Sequence, residues 1–135
     1  MLPFEFTIKG PPLSAQTHNR VRLREWKDQV RRAAAARVPG GMQPVKAPVK
    51  ITVTYYYSGK TPDVDNIGKP IQDALNGLVF VDDSQCHETK SRKRALDGSY
   101  QIMGASAPLL IAFSEGVEFL HIRVEECPHD GVLDK

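Results

Sequence analysis

Val49-Lys50-Ile51-Thr52-Val53-Thr54-Tyr55-Tyr56-Tyr57 places Val49, Ile51, Val53, Tyr55 and Tyr57 on one side of an extended chain and Lys50, Thr52, Thr54 and Tyr56 on the other. Period-two alternation of β-branched and aromatic residues marks a β-strand with one buried face. Ser58-Gly59-Lys60-Thr61-Pro62 breaks it. The period then changes: Ile67, Ile71, Ala74 and Leu75 recur at helical spacing, which predicts a helix over about 66–76 stopped by Gly77. Pro70 fits this helix only in or near its first turn, where a missing N–H costs little.

The same two periods recur outward from this stretch. Phe4-Glu5-Phe6-Thr7-Ile8-Lys9 alternates as a half-buried strand and stops at Gly10-Pro11-Pro12. Leu23, Trp26, Val30, Ala33 and Ala34 predict an amphipathic helix over about 20–37, followed by a Gly- and Pro-containing loop to Pro48. Downstream, Glu88 to Leu96 is a strand rich in basic residues, Ala107 to Phe113 a short helix or apolar loop, and Val117 to Val124 a last strand before a loose tail after Cys127. The expected fold is α/β (α+β): a small mixed sheet of about four strands packed with two to three helices. A chain of 135 residues is the size of one domain, so 1–135 is taken as a single unit.

Hydrophobic residues at 41% and charged residues at 25% exclude a disordered chain. No run of 18 apolar residues suggests a membrane span, and the N-terminus has no signal-peptide pattern. Cys86 and Cys127, without a CxxC, read as free thiols of a reducing cytoplasm. The net charge of +2, from 18 Lys and Arg against 16 Asp and Glu, does not by itself indicate a nucleic-acid partner. Its distribution does: residues 20–37 carry seven bases against two acids, whereas 114–135 carry six acids against two bases. Arg20, Arg24, Lys27 and Arg31 share one helix face, and Lys90, Arg92 and Arg94 share one strand face. Each row suits either a DNA backbone or plain solvent; for the helix, the solvent alternative includes an Asp28–Arg32 pair. Tyr56 or Trp26 is a candidate for stacking on bases, with a core position the alternative for Trp26.

The acids between residues 63 and 83 carry the chemistry. Asp63 and Asp65 lie two residues apart, and in an extended segment both project to one side, roughly 6.6 Å apart at about 3.3 Å per residue. Asp65 or Asn66 is also placed to cap the following helix. Asp82-Asp83 follows that helix, and a return of the chain could bring this second pair back to the first. Carboxylates without paired His or Cys suit a hard cation, Mg²⁺ or Mn²⁺. Cys86-His87 lacks zinc-ligand spacing. Asp63-Val64-Asp65-Asn66-Ile67-Gly68 begins like an EF-hand loop but has Ala74 where a bidentate Glu is required, and Gly59-Lys60-Thr61 lacks the first glycine of a P-loop. Lys69, four residues after Asp65, either stabilises charge on a phosphate or pairs with Asp73 at i+4.

The pattern D-x-D-N-x-x-K-x-x-x-D-A-L over Asp63–Leu75, followed by D-D-x-Q over Asp82–Gln85, resembles the signature of the RusA family of Holliday junction resolvases. Gly10-Pro11-Pro12 with Asn19-Arg20 beyond is similar to the family's opening, and the resemblance runs over about residues 4–96; residues 97–116 look longer than the family's last connection. The resemblance implies a cytoplasmic, homodimeric, Mg²⁺-dependent (Mn²⁺ possible) endonuclease of the kind often encoded by phages and prophages. It would resolve four-way junction DNA by paired nicks in recombination and repair, without a small-molecule cofactor or a membrane partner. It places catalytic and metal-binding carboxylates on Asp63, Asp65 and Asp83, a functional lysine on Lys69 and a further ligand on Asp82. Arg20, Arg24, Lys27, Arg31, Lys90, Arg92 and Arg94 would serve the DNA backbone. The alternatives are a non-catalytic junction-binding accessory protein and a flap or fork nuclease on the same fold.

Overall fold

The computed structural model describes residues 2–60, 63, 65–96 and 106–127. The tail expected to be loose after Cys127 lies outside the described residues from 128 onward, as does 97–105. The elements are β1 (Phe4–Lys9), α1 (Arg20–Ala35), β2 (Val49–Tyr57), α2 (Gly68–Leu75), β3 (Cys86–Ala95), α3 (Ala107–Ser114) and β4 (Phe119–Glu126), with a 3-10 turn at Asp83–Gln85. The strands form one mixed sheet in the order β1-β4-β2-β3. β4 runs antiparallel to β1 and β2, and β2 and β3 are parallel. This is the expected small α+β architecture.

The alternation that defines β2 also divides the sheet. Val49, Ile51 and Val53 are fully buried and join Phe6, Leu120, Ile122 and Val124 under α1 and α2. α1 adds Leu23, Trp26, Val30 and Ala34; α2 adds Ile71, Ala74 and Leu75. On the opposite face, α3 covers one end of the sheet through Ala112 and Phe113, which meet Tyr56 and Phe119. Tyr56 stacks on Phe119 with ring centroids 4.8 Å apart and meets Phe113 edge-on at 4.9 Å. Trp26 and Tyr56 are both buried, so neither ring is open for base stacking: the helix-period and sheet-period faces that carry them are the packed ones.

Three boundaries differ from the sequence pattern. α2 starts at Gly68 rather than Asn66, because Asn66 has φ +57°, the left-handed region, which a helix cannot include. Ile67 therefore stands at the N-cap with no side-chain cap bond, and neither Asp65 nor Asn66 caps the helix. β3 begins at Cys86, two residues before the basic alternation, and β4 begins at Phe119, after Gly116 (φ +72°) has turned the chain out of α3.

Adjacent parallel strands cannot be joined by a hairpin, so the chain from β2 to β3 needs a crossover, and α2 provides it. α2 lies close on the sheet: a Cβ added at Gly68 would stand 3.0 Å from Ser91 Oγ and 3.1 Å from Thr89 Cγ2 on β3. Gly68→Val is expected to destabilise the protein by about 1–3 kcal/mol through overpacking. Urea denaturation checks this, and adding Ser91→Gly should recover part of the loss.

Candidate active site

The crossover holds every residue of the acid–lysine pattern, and several motif positions also have a local structural role. Asp63 Oδ1 accepts the Asp65 N–H at 3.0 Å, an Asx turn that closes the loop after β2. Asn66 takes the left-handed conformation, which Asn adopts more readily than most residues, and its carbonyl accepts the Ala15 N–H at 3.0 Å, tying the loop to the segment before α1. Asp63 and Asp65 are exposed. Pro70 is buried in the first turn of α2, where it displaces no helical bond.

Lys69 also projects from the first turn of α2. Its Nζ lies 2.8 Å from Asp73 Oδ1 and 3.7 Å from Asp83 Oδ2. Asp73 holds a second ammonium, Lys27 of α1, at 3.1 Å. Partial burial alone pushes the Asp73 carboxyl up, but the hydrogen bonds and charges of Lys69 and Lys27 more than reverse this and leave it below its ordinary value. The Asp73 hydrogen bond raises Lys69 first; slight burial opposes this, and the charges of Asp73 and Asp83 reinforce it. The i+4 pair with Asp73 is therefore formed, and the same ammonium also faces Asp83.

Asp82 caps the 3-10 turn. Its Oδ2 accepts the Ser84 N–H at 3.1 Å, and its own N–H donates to Gln85 Oε1 at 2.9 Å. Hydrogen bonds from Ser84 hold the Asp82 carboxyl below its ordinary value. Gln85 Nε2 donates to the Val45 and Ala47 carbonyls, both at 2.9 Å, clamping the turn to the segment leading into β2. The Gln of D-D-x-Q is therefore the anchor that fixes Asp83. Among the described residues, no three His, Cys, Asp or Glu side chains are close enough together to hold a metal ion. The structure brings Asp83 to Lys69 but does not bring Asp63, Asp65 and Asp83 to one point.

The two basic rows fare differently. On α1, Arg20 Nη1 donates to the Ala15 carbonyl at 3.2 Å and Arg24 is exposed. Lys27 is engaged by Asp73, and Arg31 Nη1 donates to the Ala74 and Asn76 carbonyls at 3.0 and 2.9 Å, closing the C-terminal end of α2. Half of this row is therefore an interhelical clamp. Among the described residues Asp28 and Arg32 form no ion pair. Lys90, Arg92 and Arg94 are exposed on β3; Arg92 Nε donates to Thr54 Oγ1 at 2.8 Å, and Arg94 Nη1 to the Lys93 carbonyl at 2.8 Å. Sequence reasoning missed the clamping roles of Gln85 and Arg31, and it missed Lys50, which shares the outer sheet face with Lys90 and Arg92. The alternation of β2 already carried the signal for Lys50.

A family model described as Endodeoxyribonuclease RusA matches residues 6–99. The matched span runs from within β1 through β3 and includes the whole crossover, which puts the chain among the endodeoxyribonucleases of that family. The chain belongs to the RusA family. No curated protein is a significant match.

Asp73→Asn should cost only about 0.2–1 kcal/mol at neutral pH, because both ammonium groups keep water contact. The sign of its pH dependence follows from the two shifts. The lowered Asp73 pKa contributes stability above its unfolded value of about 3.9, and this is lost as pH falls through the folded value. The raised Lys69 pKa contributes stability below its unfolded value of about 10.4, and this is lost as pH rises through the folded value. The wild-type advantage over Asp73→Asn should therefore hold from about pH 5 to about pH 10 and shrink on both sides, as measured by denaturation at each pH. Gln85→Ala removes three hydrogen bonds, to the Asp82 N–H and to the Val45 and Ala47 carbonyls, and should cost about 1–3 kcal/mol in the same assay.

Proposed function

We propose that this chain is a divalent-metal-dependent endodeoxyribonuclease that resolves four-way DNA junctions by paired symmetric nicks, in recombination and repair. The observation that carries this reading is the Lys69 ammonium, held by Asp73 at 2.8 Å and facing Asp83 at 3.7 Å, on the helix that directly follows Asp63 and Asp65. The family supports nuclease chemistry; the choice of substrate rests on the resemblance of the motif.

The donor chemistry fits a hard cation. Asp63, Asp65 and Asp83 offer carboxylate oxygens at exposed or half-exposed positions, and Asp82 offers the oxygen its turn leaves over. These four would hold Mg²⁺ or Mn²⁺ by closing on the ion, because among the described residues no three of them stand together without it. When bound, such an ion supplies charge neutralisation on the scissile phosphate and a water of lowered pKa. Lys69 adds a fixed positive charge beside Asp83 for the phosphate or the leaving oxygen, and Asp73 with Lys27 keeps that ammonium aimed. Arg20, Arg24, Lys90, Arg92 and Arg94 hold the DNA backbone by charge, while Lys27 and Arg31 contribute mainly by fixing α1 to α2. Two nicks require two such centres, so the working unit is a homodimer.

Incubated with Mg²⁺ and a synthetic four-way junction, the wild-type protein should nick opposing strands at symmetric positions, and EDTA should stop the reaction. Asp65→Asn should cut below detection while retaining junction binding in a gel-shift assay, and Lys69→Met should lose about 10²-fold in rate or more. Mapping nicks on all four strands decides the substrate. Intact junctions beside well-cut flaps or forks would replace resolution with flap or fork cleavage.

A further inference from the structure

Among the described residues, the face of the sheet opposite α1 and α2 is covered by α3 at one end. The registers set Lys50 beside Glu88 and Glu125, Thr52 beside Lys90 and Arg123, and Thr54 beside Arg92 and His121. α3 covers the Tyr56–Phe119 end. The other end holds a cleft of about 180 Å³, lined by Lys50, Thr52, Lys90, Arg92, His121 and Arg123, with Glu125 at its margin.

Not all of its charge is free. Arg123 is spent on Glu5 at 3.2 Å and Glu125 at 3.6 Å. His121 packs half-buried against Glu5 at 3.6 Å; burial lowers its pKa, partly opposed by Glu5, so at neutral pH it adds no charge. Lys50, Lys90 and Arg92 remain, and among the described residues none has a carboxylate within ion-pair distance. Arg92 is also preset. The buried Thr54 hydroxyl holds its Nε at 2.8 Å, which leaves the terminal nitrogens of the guanidinium for a bidentate acceptor. Two ammonium groups and one oriented guanidinium around a polar cleft match the phosphodiester group, an anion with several acceptor oxygens.

We propose that this cleft binds backbone phosphates of the DNA arm flanking the cut, on the sheet face opposite the Lys69–Asp83 pair. The proposal rests on the nuclease reading for the identity of the phosphate. Among the described residues β3 is an edge strand: its inward Thr89 and Ser91 meet α2, and its outward Lys90 and Arg92 line the cleft. Lys69 and the cleft therefore flank one exposed strand, and a DNA backbone rounding that edge meets both. The contact is sequence-independent, because it reads phosphates and not bases.

The test uses the full chain and the Lys50→Ala/Lys90→Ala double variant, with Lys46→Ala as an off-cleft control for simple charge loss. Junction binding is followed by fluorescence anisotropy in EDTA over a salt series. The double variant should bind about tenfold more weakly or worse, and its slope of log affinity against log salt should fall by about two, at roughly 0.9 per phosphate contact; Lys46→Ala should keep the wild-type slope. In parallel, inorganic phosphate should shift the His121 ring resonances of the wild type by NMR and leave those of the double variant in place. Unchanged affinity and slope in the double variant overturn the proposal. If phosphate shifts His121 but junction affinity is unaffected, the cleft takes a free anion and the DNA assignment is overturned. The nuclease reading fails separately: cleft-dependent binding by a wild type that cuts no DNA sinks that reading and leaves the cleft standing.

Discussion

β2 and β3 lie side by side and run the same way, so the chain leaving Tyr57 must travel back along the sheet before Cys86 can pair with Val49. Nine residues of strand cover roughly 30 Å, whereas the eight residues of α2 cover only about 12 Å. The rest of the return is made by the chain on either side of the helix, and that is where both acidic pairs sit. Asp63 and Asp65 precede α2; Asp82 and Asp83 follow it and open β3. The crossover therefore delivers the two acidic pairs from opposite ends of one short helix, and Lys69, on a long flexible stem in its first turn, spans to Asp83. Asp73, one turn later, and Lys27 from α1 hold that stem in place. If α2 shifts against Ser91 and Thr89, both the core and the acid–lysine geometry shift with it.

Much of this was legible in the residues. The alternation of β2, the apolar stripes of α1 and α2, and the mixed four-stranded sheet follow from periodicity, which reports burial against a neighbour. The acidic crossover stood out because it gathers two pairs of carboxylates and a lysine at fixed spacing around one short helix. Other features were not legible, for identifiable reasons. The Arg20–Arg24–Lys27–Arg31 row marks a polar helix face, but polarity does not say whether the face meets water, phosphate or another helix. Here Lys27 and Arg31 meet α2, one by an ion pair and one by capping bare carbonyls. The start of α2 depended on a single backbone angle at Asn66 that no apolar pattern encodes. Gln85 looked like a motif letter, and its purpose emerged only with the Val45 and Ala47 carbonyls, which lie about forty residues upstream in the chain.

The charge balance reflects the same layout. A net of +2 arises because acidic and basic groups are sorted in space rather than scarce. Four of the 16 acids are the proposed metal ligands Asp63, Asp65, Asp82 and Asp83, and without them 18 bases face 12 acids. Five of those bases show two different uses: Lys27 and Arg31 clamp helix to helix, whereas Lys50, Lys90 and Arg92 stand on the outer sheet face.

That outer face is unusual for the strands that form it. Parallel strand pairs are ordinarily covered on both faces and read as continuous apolar runs, whereas an antiparallel sheet tolerates one wet face and alternates. β2 pairs with β3 in parallel and with β4 antiparallel, and its sequence alternates. Among the described residues α3 covers the end at Tyr56 and Phe119, where the outward residues turn aromatic; beyond it they are Thr54, Thr52 and Lys50, set against Arg92 and Lys90. The polar stretch starts where the covering helix stops, so an apolar partner there would strand Lys50, Lys90 and Arg92 without water or counter-charge. Water or an anion is the cover those residues admit, and the Thr54–Arg92 hydrogen bond, made by a hydroxyl buried in the sheet, orients one of the three cations in advance. Solvent alone makes no use of an oriented guanidinium, whereas a phosphate with two acceptor oxygens does.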